Sequence, residues 1–170
     1  MNSLKYISHY PQAVQLQVSE MMAQNKIANW LRSRYSDTHS ITNDNELRDY
    51  VMAIKNQYMK KAQPLSKVTY DSKLHIVNHA LGMHTYVSRV QGAKLKSKNE
   101  LRVSSLFKQT PDAFLNMIEV HELAHLKEKE HNKAFYKLCD HMMPSYHQVE
   151  FEVRVYLTEF ERNGNIFLNQ

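Results

Sequence analysis

The 170 residues predict an α+β fold in which helices flank a small antiparallel sheet. Three observations carry that expectation. Only 3 glycines and 4 prolines are present, too few for a turn-rich β-sandwich. Apolar residues recur at helix spacing towards both ends of the chain. Short β-branched or aromatic runs occupy only the middle. The chain reads as a single domain, 1–170, helical over residues 1–64, β-rich and basic over residues 65–107, and helical again over residues 108–170.

After Pro11, the residues Val14, Val18, Met21, Ile27, Trp30 and Leu31 predict a first helical element. The polar stretch Ser36–Thr42 ends it. Asn43-x-x-Glu46 is a capping-box-like start, and Leu47, Val51, Ile54 and Tyr58 make the stripe of the next helix, which Pro64 closes. Val68/Tyr70, His75–Val77, Thr85–Val90 and Leu101–Val103 predict three or four antiparallel strands, with Gly82 and Gly92 in the connections. Thr110-Pro111-Asp112 reads as an N-cap, a proline at the first helical position and an acid in the first turn. Phe114, Ile118, His121 and His125 then lie on or near one helix face. Asn132 can cap a helix carrying Phe135, Leu138 and Met142, and Pro144 stops it. Ser145-x-x-Gln148 opens a last helix that runs to Asn163-Gly164.

Charge is uneven along the chain. Residues 1–53 are balanced, residues 54–108 carry net +9, and residues 109–170 carry net −4, within a total of +5. The basic middle points to an anionic partner, a nucleotide or a nucleic acid. The lone Cys139 excludes an internal disulfide and a cysteine-cluster zinc site. Met1-Asn2-Ser3-Leu4-Lys5-Tyr6 begins no signal-like apolar run, and no stretch approaches the ~18 apolar residues of a membrane span. A cytoplasmic protein with no membrane segment is expected.

His121-Glu122-Leu123-Ala124-His125 is an HExxH motif. On a helix its two imidazoles stand one turn apart and can share one metal ion. Glu122 is placed to take a proton from water on that metal, as a general base. At this composition, about 0.04 such motifs arise by chance. A catalytic zinc site needs a third protein ligand. His131 is the first candidate, but on an unbroken helix it would sit about 240° around from His125. The helix must therefore break between Leu126 and His131, and Asn132 as the next cap supplies a reason. The spacing is that of metzincin proteases, which carry glycine where Glu128 stands, so the turn is made differently here. Glu150 or Glu152 is the competing third ligand.

The other histidines read as surface or cap residues, with His84 and His147 the two that could reach a cleft. Tyr146 is a candidate hydrogen-bond donor to developing negative charge, set against an ordinary core role. Arg89, Lys94, Lys96, Lys98 and Arg102 span a strand–loop–strand unit. If extended, the alternation Lys94, Lys96, Lys98 places three charges on one side, suited to substrate phosphates.

The run from His121 to Tyr136, with HELAHL, a short charged turn, His131, Asn132 and the aromatic pair Phe135-Tyr136, closely resembles the YgjP-like family of metal-dependent hydrolases. Ser88-Arg89-Val90-Gln91-Gly92 and Tyr146-His147-Gln148 extend the likeness along the chain. The resemblance implies a zincin-like, metallopeptidase-type domain. It implies metal ligands at His121, His125 and His131, with Glu122 as base. It also implies a pyrophosphatase activity that splits UTP into UMP and pyrophosphate. Wider relatives include SprT-like proteases acting on DNA-bound proteins. Many broader members carry Trp-Gly-Ser-Cys where this chain has Arg89-Val90-Gln91-Gly92, so their substrates are not carried over.

The metal expected is zinc, with Ni, Fe, Mn and Mg also open. Imidazoles favour a peptide substrate, whereas the +9 segment favours a triphosphate. The expectation is a UTP pyrophosphatase, with a zinc metallopeptidase as the alternative. A non-catalytic nucleic-acid module using residues 54–108 comes last, because it leaves the metal motif idle.

Overall fold

The computed structural model describes residues 4–74, 83–91 and 94–168, and along 83–91 and 94–98 it describes the backbone alone. The predicted strand His75–Val77, the glycines Gly82 and Gly92, and His79 lie outside the described residues. So do the side chains of His84, Arg89, Lys94, Lys96 and Lys98.

The first helical element is two helices, α1 (Gln12–Ala23) and α2 (Ile27–Arg34). Asn25 sits between them at φ 52°, a conformation asparagine tolerates better than most residues. The Lys26 amide donates to the Met21 carbonyl at 2.9 Å and the Asn25 amide to Met22 at 3.1 Å. This Schellman closure satisfies the end of α1 and turns the chain. α3 (Asp44–Tyr58) starts where expected. Asn43 accepts from the Glu46 amide at 2.9 Å, and Glu46 accepts in return from the Thr42 amide. The helix ends well before Pro64, with Lys55 buried beside Leu47 and Val51.

The sheet holds β1 (Leu65–Asp71), β2 (Met83–Gln91) and β3 (Lys94–Ser104) in the order β1-β3-β2. β2 and β3 pair antiparallel, but β1 pairs parallel to β3, so the sheet is mixed rather than antiparallel. Alternation such as Val68/Tyr70 and Leu101/Val103 identifies a strand and its buried face. It is indifferent to the partner's direction, which explains the error. The segment read as a basic loop is also extended, since β3 begins at Lys94 and runs unbroken into Leu101–Val103.

α4 (Asp112–Ala124) is the central helix, with every residue from Met117 to Ala124 buried. Thr110 is not its cap: its hydroxyl donates to the Phe107 carbonyl, and Pro111 occupies the cap position. α5 (Lys133–Met142) is capped by Asn132, which accepts from the Phe135 amide at 2.9 Å. α6 (Tyr146–Asn163) ends at Gly164, whose φ of 74° suits glycine. Ser145 makes no side-chain cap bond, and Gln148 reaches Glu152 instead. α6 packs on α2, α4 and α5, while α3 and the sheet cover the other side of α4. Phe114 of α4 meets Tyr35, Tyr156 and Phe167, tying these layers into one buried cluster.

Candidate metal centre

α4 stops at the end of the HExxH motif. His125 is its C-cap residue, and the amides of Lys127 and Glu128 both return to the Ala124 carbonyl, at 3.1 and 3.0 Å. Asn25 is the one non-glycine residue with positive φ among the described residues. The turn after the motif therefore needs no left-handed residue, which is why Glu128 can stand where metzincins have glycine. The break brings His131 back, as its spacing required.

The imidazoles of His121, His125 and His131 each offer a nitrogen, and these atoms lie within 4.8 Å of one another. His125 Nε2 and His131 Nε2 are 3.1 Å apart. His125 Nδ1 is 2.9 Å from the Glu128 carbonyl oxygen, so Nδ1–H donates there and Nε2 keeps its lone pair. His121 Nδ1 is 2.7 Å from the Tyr146 hydroxyl, which likewise turns its Nε2 towards the cluster. Phe135 packs against all three rings, at centroid distances of 4.9, 4.7 and 4.9 Å. Burial, and then the neighbouring His125 and His131, push the pKa of His121 well below its usual value and keep the ring neutral. His131, the exposed member, is lowered for the same leading reason.

Glu122 is 1% exposed, and its Oε2 has no hydrogen-bond partner among the described residues. Burial raises its pKa well above the usual carboxylate range. A sealed, orphaned carboxylate oxygen beside three convergent nitrogens fits a bound cation with its water. The donor set is therefore suited to a metal ion, and its chemistry is all imidazole. The competing carboxylates are engaged elsewhere. Glu150 pairs with Arg154 at 3.0 Å, and Glu152 is held by Arg34, Tyr35 and Gln148.

Three further assignments change. Tyr146 is fully buried behind His121, so it acts as core and as a partner of that ring, not as a donor to substrate. Arg102 is already committed, at 3.3 Å to Asp71 and 3.5 Å to Glu100. His147 is exposed and sits 3.3 Å from Asp140. Two features escaped the sequence reading. Arg154 is a partly buried guanidinium whose charge acts on both His121 and His131. Glu119, one turn before Glu122, is fully buried, and neither carboxyl oxygen has a hydrogen-bond partner among the described residues. A carboxylate in the middle of an otherwise apolar run was the available signal for Glu119; nothing local marked Arg154.

Residues 12–154 match the model of the YgjP-like, metallopeptidase domain family. The chain is 49% identical over 165 residues to the UTP pyrophosphatase of Escherichia coli (strain K12), covering 97% of this chain and 99% of that one. No solved structure matches. With its motif, its imidazole cluster and this near-complete likeness, the chain belongs to the YgjP-like family.

Proposed function

We propose that this chain is a metal-dependent nucleoside triphosphate pyrophosphatase that splits UTP into UMP and pyrophosphate. One observation carries the reading: a near-full-length likeness to a UTP pyrophosphatase in a chain with a convergent three-imidazole cluster. His121, His125 and His131 would hold the ion. An all-imidazole donor set favours zinc, which would supply Lewis acidity towards water and a phosphoryl oxygen.

The protein's own groups divide the remaining work. Glu122 Oε2, which has no hydrogen-bond partner among the described residues, takes the proton of the attacking water. The water oxygen bonds to the α-phosphorus. The bond from that phosphorus to the bridging oxygen breaks, and pyrophosphate leaves. Tyr146 holds the tautomer of His121. Arg89, Lys94, Lys96 and Lys98 are the proposed phosphate contacts, supported by the +9 charge of their segment and by the packing of β2 and β3 against α4.

The same reading takes 1–170 as a single zincin-like domain acting in the cytoplasm. The 12–154 family match and the continuous buried core support the domain assignment. Among the described residues, no helix is long and apolar enough to cross a membrane.

A panel of nucleoside triphosphates and a denatured protein, each with Zn, Mn, Ni or Mg, tests the proposal. Metal-dependent pyrophosphate release from UTP is expected. Cleavage of the denatured protein without pyrophosphate release favours the metallopeptidase alternative. Salt-dependent nucleic-acid binding that survives metal removal, with no turnover, favours the non-catalytic module.

A further inference from the structure

α6 places Tyr146, Glu150 and Arg154 four residues apart, on one face. Tyr146 touches His121, so Glu150 and Arg154 continue the same face from the residue that contacts the metal cluster. Arg154 Nε and Nη2 both donate to Glu150 Oε1, at 3.4 and 3.0 Å, and Nη1 donates to the Tyr6 carbonyl at 3.2 Å. A guanidinium has five N–H groups, so this pattern leaves a donor on each Nη. Glu150 Oε2 takes no hydrogen bond among the described residues. The pair cancels its own charge while keeping donors and an acceptor in reserve. That suits a neutral hydrogen-bonding ligand better than a phosphate.

Two aromatic rings lie near the pair. Tyr10 meets Phe151, the neighbour of Glu150, edge-on at 5.2 Å. Tyr136 lies 6.3 Å from the Tyr146 ring. Both tyrosines are partly exposed. The charges of Glu150 and Arg154 act on Tyr10, Tyr136 and His131 alike, so these groups form one neighbourhood with the metal cluster.

We propose that Glu150 and Arg154, walled by Tyr10 and Tyr136, form a nucleobase subsite that reads the imide edge of uracil. This rests on the nucleotide reading above. Uracil presents a carbonyl, the N3–H and a second carbonyl in a row. Glu150 Oε2 accepts the N3–H, a free Arg154 N–H donates to a flanking carbonyl, and the tyrosine faces stack the ring. Cytosine presents an acceptor at N3, where Glu150 Oε2 needs a donor, so that contact is mismatched.

The test compares kcat/KM for UTP, N3-methyl-UTP and CTP with the full, metal-loaded chain. Wild type is expected to prefer UTP over both by about 100-fold or more, because a site built around a hydrogen bond rejects ligands that leave it unpaired. Glu150→Gln keeps an oxygen towards Arg154 and puts an NH₂ where Oε2 was. The UTP-to-CTP ratio should fall by about tenfold or more. An unchanged ratio in folded Glu150→Gln, or equal use of UTP and N3-methyl-UTP by wild type, overturns the subsite. If Glu150→Gln does not fold, the wild-type comparison decides alone. Wild type that releases no pyrophosphate from any triphosphate refutes the nucleotide reading itself, and the subsite with it.

Discussion

The basic strand region and the acidic helical region differ in charge and in chemical finish. Residues 54–108 carry net +9, yet Arg102, the best-described of their candidate contacts, is already paired with Asp71 and Glu100. Residues 109–170 carry net −4, yet they supply the three imidazoles, the orphaned Glu122 oxygen and the partly buried Arg154. Net charge along a segment describes long-range attraction for an anion. Desolvated, converging groups make a candidate metal centre, and the helix break after His125 is what lets His131 join the other two imidazoles.

The strongest challenge to that contrast is Tyr146→Phe. The ring and its packing remain, but His121 Nδ1 loses its 2.7 Å partner. Metal affinity should fall about 10- to 100-fold, measured by competition with a chromogenic chelator. An unchanged affinity would reduce Tyr146 to packing. Arg102→Gln probes the other region. Its side chain is 34% exposed and its two carboxylate partners already occupy it. UTP turnover should change by about twofold or less, and stability by about 0–1 kcal/mol in urea unfolding. A tenfold loss of kcat/KM would put Arg102 back among the phosphate contacts.

Much of the site was legible because its signals are local. The HExxH spacing, the Asn132 cap and the need for a break before His131 are all contained within a dozen residues, and short-range hydrogen bonds realise them. What was missed depends on distant partners. The parallel pairing of β1 with β3 joins Val68 to Leu101, and no local alternation encodes strand direction. Tyr146 gained its role by packing 25 residues away on His121, and Arg154 by donating to the Tyr6 carbonyl 148 residues away. Asn25 was overlooked although a signal was there: on one continuous helix Ile27 and Leu31 would stand about 180° around from Val18 and Met22, and the Schellman closure at Asn25 is the break that puts them on a common core.

The central claim is that Glu122 is the base beside a metal held by three imidazoles. Glu122→Gln tests it most directly, with bound metal quantified on the same sample used for pyrophosphate release from UTP. The account predicts full metal occupancy with turnover reduced about 100-fold or more. A variant that retains metal and most of its activity would contradict it.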